Sequence, residues 1–226
     1  MHFCLSLAIK GIGKVAPNPL VGCIIVNDGK VIGQGYHHEY GASHAEVDAI
    51  NSVKNKKLLK SSTLYVNLEP CGHHGKTPPC ADLIIRSGIK YVVIGTIDPN
   101  PIVMGTGLQK LVSAGCDVKV GVIESECNIL NKRFITYHTK KRPFIILKWA
   151  QTADKFIGRK SKDLKKKDNI HISNSASQKL VHQWRAEEQA IMVGTNTALI
   201  DNPKLTVRKV KGNHPVRIVL DKDLNI

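Results

Sequence analysis

Two short segments of the chain combine residue types that bind metal ions and move protons. The first is His44-Ala45-Glu46, and the second runs from Glu69-Pro70-Cys71 to Cys80. One imidazole and two thiolates can hold Zn²⁺ in a formally neutral site with one open position. Such an ion lowers the pKa of bound water toward neutrality, and a nearby carboxylate can then move the proton. The sequence therefore predicts that Zn²⁺ binds to His44, Cys71 and Cys80, with Glu46 as the proton shuttle.

Each of these residues, taken alone, has an ordinary structural interpretation. Ser43-His44-Ala45-Glu46 fits a helix capping box, Ser-x-x-Glu, which needs no catalysis. A single histidine or cysteine is usually a surface or core residue, and the spacing of the two cysteines is wider than the common Cys-x₂₋₄-Cys. The combination of His-x-Glu with Pro-Cys and a second cysteine is nevertheless the signature of zinc deaminases that act on nucleobases. A metal-dependent hydrolytic deaminase is the favoured interpretation.

Two other classes of function compete with this one. The net charge of +15 suggests a nucleic-acid deaminase, but aromatic residues make up only 5% of the chain, so few bases could be stacked. A zinc module without catalysis is the third candidate, although structural zinc sites normally have four protein ligands and no clear fourth ligand is present. We expect no nucleic-acid partner. The lysines are scattered apart from one cluster, formed by Lys160, Lys162, Lys165, Lys166 and Lys167.

The elements that must position these residues alternate between strand and helix patterns. Asn27-Asp28-Gly29-Lys30 predicts a hairpin turn, and Gly88 and Gly115 are suited to end helices. Because helices separate most strands, parallel pairing and a three-layer α/β/α sandwich are expected. The predicted helices cover residues 2–13, 43–53, 81–87, 108–114 and 124–140, and the strands cover 21–26, 31–36, 63–68, 90–96 and 118–122.

A new pattern begins after Lys140-Lys141-Arg142-Pro143, which predicts domains at 1–142 and 143–226. The second domain is expected to be incomplete, because the chain ends at Ile226 just after a strand, with no closing helix. Its predicted elements are a strand at 144–149, a lysine-rich loop at 160–169, a helix at 175–187 and strands at 190–193 and 216–220.

Composition limits the class of protein further. The chain has 226 residues, 42% hydrophobic and 23% charged, which is typical of globular proteins. No apolar run is long enough to span a bilayer, and residues 1–10 lack the basic start of a signal peptide. Six cysteines without an export signal favour metal ligands and core thiols over disulfides. We expect a cytoplasmic homo-oligomer with no membrane partner.

The segment 68–80, Leu-Glu-Pro-Cys-Gly-His-His-Gly-Lys-Thr-Pro-Pro-Cys, resembles the signature of the bifunctional riboflavin-biosynthesis deaminase–reductases. Its long insert between the cysteines differs from the Pro-Cys-x-x-Cys of tRNA adenosine deaminases and cytidine deaminases. The resemblance covers essentially the whole chain and implies a cytidine-deaminase-like domain followed by part of a dihydrofolate-reductase-like domain. Further matching segments are Pro17–Gly22, Gly35–His37, His44–Val47 and Asp98–Pro101.

The resemblance also implies a substrate for the first domain. Members of this family deaminate 2,5-diamino-6-(5-phosphoribosylamino)pyrimidin-4(3H)-one to 5-amino-6-(5-phosphoribosylamino)uracil and release ammonia. Lys76 in a Gly/Pro loop is suited to a phosphate dianion, and Asp98 and Asn100 are suited to sugar hydroxyls, although Asp-Pro-Asn-Pro could also be only a turn. The implied substrate-binding residues are Asn18, His37, His73, Lys76, Asp98 and Asn100.

For the second domain, the resemblance implies an NADPH-dependent reductase. Two features differ from the family: Thr152-Ala153-Asp154-Lys155 replaces Ser-Leu-Asp-Gly, and His171 stands where tryptophan is common. Family chains also continue well past this C-terminus, so we expect the chain to deaminate without reducing. The implied substrate-binding residues are Arg185, Leu205 and Arg208, and the implied NADPH-binding residues are Ala150, Thr197 and Asp201.

Overall fold

The computed structural model describes residues 1–73, 78–157, 172–224 and 226. Internal contacts divide the chain into two compact units, Met1–Phe144 and Ile145–Ile226. Within the described residues, no helix is both long enough and apolar enough to cross a membrane.

A five-stranded sheet forms the centre of the first unit. Antiparallel pairing joins the first strand to both the second and the third, whereas the third, fourth and fifth strands pair in parallel. The expected parallel pairing is therefore wrong for the contact between the first and third strands. The predicted hairpin is confirmed, because Asp28 and Gly29 both have the positive φ that a tight two-residue turn requires. The spatial order is β2-β1-β3-β4-β5, with β1 at Gly22–Asn27, β2 at Lys30–Tyr36, β3 at Thr63–Leu68, β4 at Tyr91–Thr96 and β5 at Asp117–Val120.

Helices cover both faces of this sheet. The main core packs Ile25 and Leu64 with the helical residues Ala49, Ile84 and Leu111 on one face. On the other face of β1, Ile24 packs with Cys4 and Leu7, as expected from the alternation of side chains along a strand. The predicted three-layer fold is confirmed. The helices are α1 at His2–Ala8, α2 at Ala45–Ser52, α3 at Cys80–Arg86, α4 at Thr106–Ser113, α5 at Glu124–Leu130 and α6 at Lys132–Lys140.

Two helix predictions for this unit need correction. The first helix ends at Ala8 and continues only as a 3₁₀ turn over Ile9–Gly11. The helix predicted over 124–140 is broken at Asn131, where the backbone leaves the helical region. The Asn131 side chain holds a distant backbone instead, accepting from Leu20 N at 2.8 Å and donating to Leu20 O at 2.9 Å. The predicted helix ends are confirmed, since Gly88 and Gly115 both have positive φ.

The second unit contains one long helix and a short parallel sheet. The helix α7 covers Ser175–Glu187, and β6 at Ala190–Gly194 pairs with β7 at Val216–Leu220. The strand predicted at 144–149 is wrong: these residues have no regular structure, and Ile145, Leu147 and Trp149 are exposed. A strand forms by pairing with a neighbour, and the sheet of this unit joins only β6 and β7 within the described residues. The lysine cluster and His171 lie outside those residues.

Candidate active site

Three side chains converge at the ends of elements of the first unit. His44 is the residue before α2, Cys80 is the first residue of α3, and Cys71 follows β3. The Nδ1 atom of His44 lies 3.2 Å from the Cys80 sulfur and 3.6 Å from the Cys71 sulfur. The Cys71 sulfur also accepts a hydrogen bond from the backbone N–H of Cys80 at 3.3 Å. In the part of the chain that the structure describes, no other group of His, Cys or acidic residues is arranged to hold a metal ion.

This donor set fits a tetrahedral zinc site. Ordinary Zn–S and Zn–N bond lengths place two ligand atoms about 3.5–3.8 Å apart. The potential ligand atoms lie within 4.8 Å of one another, which leaves only small adjustments for metal binding. The capping-box interpretation does not describe this helix start, because its N-cap is His44, whose side chain makes no capping bond.

The two thiols are not electrostatically equivalent. Hydrogen bonds from Cys80 and His44 lower the pKa of Cys71, which favours its thiolate. The hydrogen bond with Cys71 raises the pKa of His44. The pKa of Cys80 is raised, because its thiol bonds to Cys71 and is buried. A negative charge is therefore stabilised next to the imidazole, at the position where a cation would bind.

Glu46 is the second residue of α2 and lies in the same site. Its side chain is only 3% exposed, and burial raises its pKa to about 7, with the charge of Cys71 as the second cause. The neighbouring His44 and Cys80 side chains act in the opposite direction and lower this pKa. A carboxyl group with a pKa near neutrality can both accept and return a proton.

A pocket of about 330 Å³ opens onto this cluster. This volume falls in the range of roughly 300–1,000 Å³ that is typical of small-molecule sites. The pocket brings together all the substrate-binding residues predicted in the first unit except Lys76, which lies outside the described residues. The predicted residues on its walls are Asn18, His37, His44, Glu46, Cys71, His73, Asp98 and Asn100.

A hydrogen-bonded relay fixes the orientation of Asn18. The Ser43 carbonyl can only accept, so His37 Nδ1 donates to it at 2.9 Å. The other ring nitrogen of the neutral imidazole then accepts from Asn18 Nδ2 at 3.0 Å. Burial lowers the pKa of His37, which favours this neutral form. This relay directs the amide nitrogen of Asn18 to His37, and Asn18 itself lines the pocket.

Asp98 and Asn100 follow β4, beside the end of β3. The Asp98 carboxylate accepts from the backbone N–H of Asn100 at 2.8 Å, which closes a short turn. Burial raises the pKa of Asp98 to about 6. The Asp-Pro-Asn-Pro segment is therefore a turn, and it also presents both residues to the pocket.

Among the pocket-wall residues that sequence reasoning missed, three have charged or aromatic side chains: Tyr40, Glu69 and Phe134. Glu69 belongs to the Glu-Pro-Cys segment, but that motif indicates no role for its side chain. Tyr40 and Phe134 also line the pocket. Phe134 comes from α6, far from every motif, so no local pattern could have identified it.

In the second unit, the structure brings together the three predicted substrate residues around Thr206. Arg185 Nη1 donates to the Thr206 carbonyl at 3.2 Å, and Arg208 Nη1 donates to the Thr206 hydroxyl at 3.0 Å. Leu205 is adjacent, buried, and held at a positive φ of 54° that is uncommon for leucine.

The predicted NADPH-binding residues of this unit lie in two places. Thr197 and Asp201 are the first and last residues of a π-helical turn after β6. Ala150 lies in a segment without regular structure.

Comparison with known proteins identifies both units. Residues 1–96 match the family model for the cytidine and deoxycytidylate deaminase zinc-binding region, and residues 143–226 match the RibD C-terminal domain. Riboflavin biosynthesis protein RibD of Aquifex aeolicus is 48% identical over 227 residues, covering 100% of this chain. The chain is similar to RibD proteins along its whole length. The predicted resemblance is thereby confirmed, and the alternative of a tRNA-type deaminase is not favoured.

Solved structures of RibD proteins show the same fold. The deaminase/reductase of Thermotoga maritima is 46% identical and has a TM-score of 0.87 over 99% of this chain. The RibD of Acinetobacter baumannii is 35% identical and has a TM-score of 0.89 over 100% of the chain. The chain spans only 62% of the Aquifex RibD and 62–63% of these two structures.

Proposed function

We propose that residues 1–142 form a zinc-dependent hydrolytic deaminase of riboflavin biosynthesis. Its substrate would be 2,5-diamino-6-(5-phosphoribosylamino)pyrimidin-4(3H)-one, and its products 5-amino-6-(5-phosphoribosylamino)uracil and ammonia. One observation carries the proposal: two members of the His44, Cys71 and Cys80 cluster, His44 and Cys71, line the same pocket of about 330 Å³ as the buried carboxyl of Glu46. The name of the Thermotoga relative, a diaminohydroxyphosphoribosylaminopyrimidine deaminase, supports the substrate.

The chemistry replaces a ring amino group by oxygen. Zn²⁺ held by His44, Cys71 and Cys80 would make a water molecule acidic enough to attack at neutral pH. Glu46 would accept a proton as water adds to the ring carbon and would pass one to the departing amino nitrogen, which leaves as ammonia. Its raised pKa suits both steps, because the carboxyl is neither too weak a base nor too weak an acid near neutrality.

The other pocket residues orient the substrate. The Asn18 amide oxygen, fixed by His37, accepts from an N–H of the diaminopyrimidine. Asp98 and Asn100 bond to ribose hydroxyls, and His73 with Lys76 binds the phosphate. Lys76→Ala should therefore weaken binding of the phosphorylated substrate far more than that of its dephosphorylated analogue. Equal losses for both ligands would contradict the role of Lys76.

For the second unit we propose a reductase-type site for NADPH and a substrate phosphate. Burial and the charge of Arg208 lower the pKa of Arg185. Its Nε atom is buried and has no hydrogen-bond partner within the described residues. A bound phosphate would satisfy this atom and offset the repulsion between the two arginines, with Leu205 beside them. Ala150, Thr197 and Asp201 would contact NADPH.

The cellular setting is part of the same proposal. We propose a cytoplasmic homo-oligomer that has no nucleic-acid partner. The thiols of Cys4, Cys23, Cys116 and Cys127 are free and buried, as is common in a reducing compartment. Sedimentation of the purified chain tests the oligomer, and a gel shift with tRNA at physiological salt tests the nucleic acid.

Ammonia release from the diaminopyrimidine ribotide is the direct test of the deaminase. Glu46→Gln should keep about one zinc per chain but lose roughly 10²- to 10⁴-fold in turnover, the usual contribution of general acid–base catalysis. The matched control is Glu39→Gln, because Glu39 is exposed and lies outside the pocket. Wild-type turnover in Glu46→Gln, or no ammonia from the wild-type chain loaded with zinc, would refute the proposal.

A further inference from the structure

The carboxylate of Glu69 makes an unusual set of contacts for an acidic side chain. The residue is 4% exposed and lies between β3 and Cys71. Its Oε2 accepts from the backbone N–H groups of Asp98 at 3.3 Å and Gly105 at 3.0 Å. Its Oε1 accepts from Gly107 at 3.0 Å and Leu108 at 3.1 Å. Both oxygens are therefore engaged by the segment between β4 and the first turn of α4.

This arrangement supplies α4 with an N-terminal cap from a distant part of the chain. The N-cap residue of α4 is Gly105, which has no side chain to accept the free N–H groups of the first turn. Glu69 accepts two of them across 38 and 39 positions of sequence. A negative charge is also favourable at this end of a helix.

The two segments are in direct backbone contact beside the carboxylate. A Cβ atom on Gly107 would lie 1.7 Å from the Pro70 carbonyl oxygen, and one on Gly72 would lie 2.6 Å from Gly107 N. No side chain larger than hydrogen fits at either position without moving backbone. The register between the Glu69–Gly72 segment and the start of α4 is thus set independently of the hydrogen bonds.

We infer that Glu69 is a positioning residue, which holds the Asp98–Asn100 turn at a fixed distance from the Cys71 segment. This inference rests on the proposed function, in which the turn binds ribose hydroxyls while the cluster at Cys71 acts on the ring. Both Asp98 and Asn100 line the pocket, and Asp98 is tied to Glu69 through its own N–H. Release of the carboxylate would let the sugar-binding groups shift relative to the reacting atoms, although no metal ligand is removed.

Glu69 needs both carboxylate oxygens and its negative charge to make these contacts, because all four of its partners are backbone N–H donors. In Glu69→Gln the side chain has nearly the same shape, but its NH₂ group must face two backbone N–H groups. Glu69→Asp keeps both oxygens on a side chain that is shorter by one methylene. We therefore expect Glu69→Gln to be more damaging than Glu69→Asp. The matched control is Asp82→Asn, which removes a partly exposed ion pair with Lys110 of α4 at 3.0 Å and leaves the contacts of Glu69 intact.

Hydrogen exchange and steady-state kinetics on the zinc-loaded full chain test the inference. In the wild-type chain, the amides of Asp98, Gly105, Gly107 and Leu108 should be protected. In Glu69→Gln they should exchange at least about tenfold faster, and KM for the ribotide should rise roughly 10- to 100-fold, as expected for the loss of charge-assisted hydrogen bonds. The zinc content should stay at the wild-type value, kcat should change less than KM, and Asp82→Asn should match the wild type.

Several results would overturn the inference. The inference is wrong if the four amides are unprotected in the wild-type chain. It is also wrong if KM is unchanged in Glu69→Gln, whether or not that variant loses zinc. If Glu69→Gln fails to fold, Glu69→Asp carries the test, with a smaller rise in KM expected and a wild-type KM refuting the role. If the wild-type chain releases no ammonia, the proposed function fails. The inference is then judged from the amides and from ribotide binding by calorimetry.

Discussion

Replacement of Asn67 by leucine should loosen the segment that carries Asn18 without removing any pocket residue. Asn67 lies in β3 and is fully buried. Its Oδ1 accepts from Gly22 N at 2.7 Å, and its Nδ2 donates to Leu20 O at 2.9 Å. These bonds join the central strand β3 to the start of β1, directly after the Pro-Asn-Pro segment.

The expected loss in the free energy of unfolding depends on which groups lose their hydrogen-bond partners in Asn67→Leu. Gly22 N–H would be left buried without an acceptor, which costs about 1–3 kcal/mol, and the lost hydrogen bonds contribute about 1 kcal/mol more. Leu20 O keeps its second donor, Asn131 Nδ2, at 2.9 Å, so no further penalty arises there. The expected loss in the free energy of unfolding of the first unit is about 2–4 kcal/mol.

Native-state hydrogen exchange in β1 and β3 is the appropriate assay. Both tryptophans, Trp149 and Trp184, lie in the second unit, so their fluorescence does not report on this one. A loss of about 2–4 kcal/mol corresponds to exchange that is roughly 30- to 1,000-fold faster for globally protected amides. The control is Asn51→Leu, at an exposed position, with an effect expected within about 0.5 kcal/mol. A loss below about 1 kcal/mol in Asn67→Leu would refute the reasoning.

Three further predictions concern the metal cluster and its surroundings. Cys71→Ser and Cys80→Ser should each lower the zinc content below about one per chain, measured by metal analysis, and full occupancy in both would contradict their assignment as ligands. Gly35→Ala should weaken zinc binding, because the new Cβ would lie 2.4–2.5 Å from backbone atoms of α2, the helix that follows His44. The control is Gly194→Ala, whose Cβ would meet nothing within 4 Å. Equal zinc affinity in the two variants would argue against this packing role of Gly35. The pKa of Asp98, raised by burial to about 6, means that its contribution to stability is present below about pH 4 and is lost as the pH rises through 6. Asp98→Asn should flatten this part of the curve of unfolding free energy against pH, and an unchanged curve would contradict the shift.

Local patterns predicted most elements of the fold. The bounds of β3, α7 and β7 match the prediction, because alternating or continuous apolar runs and a good N-cap residue define them. The hairpin followed from Asp28-Gly29, where the turn itself requires positive φ. The strand prediction at 144–149 was wrong because β propensity shows only that residues would fit into a sheet. Whether a neighbouring strand is available to pair with them depends on distant parts of the chain.

The chemical identity of the candidate site could be predicted because its residue types are rare in that combination. An imidazole, two cysteines and a carboxylate in two short motifs indicate a metal and a proton carrier wherever they lie in the chain. The aromatic wall residue Phe134 carried no such information. Its place in the pocket depends on the break at Asn131, and a helical pattern continues through that residue without interruption.

The residues that hold the site together share a property that hides them from sequence patterns. Asn67, Asn131 and Glu69 are buried polar side chains, and the hydrogen bonds that define their roles go to backbone groups. Their partners lie 45, 111 and 38 positions away, and a backbone N–H or C=O looks the same in every residue. The sequence therefore shows the polar side chain, but it does not show which backbone group will be its partner. Because each of them holds a segment next to the pocket, substitutions there should change substrate binding while the metal ligands remain in place.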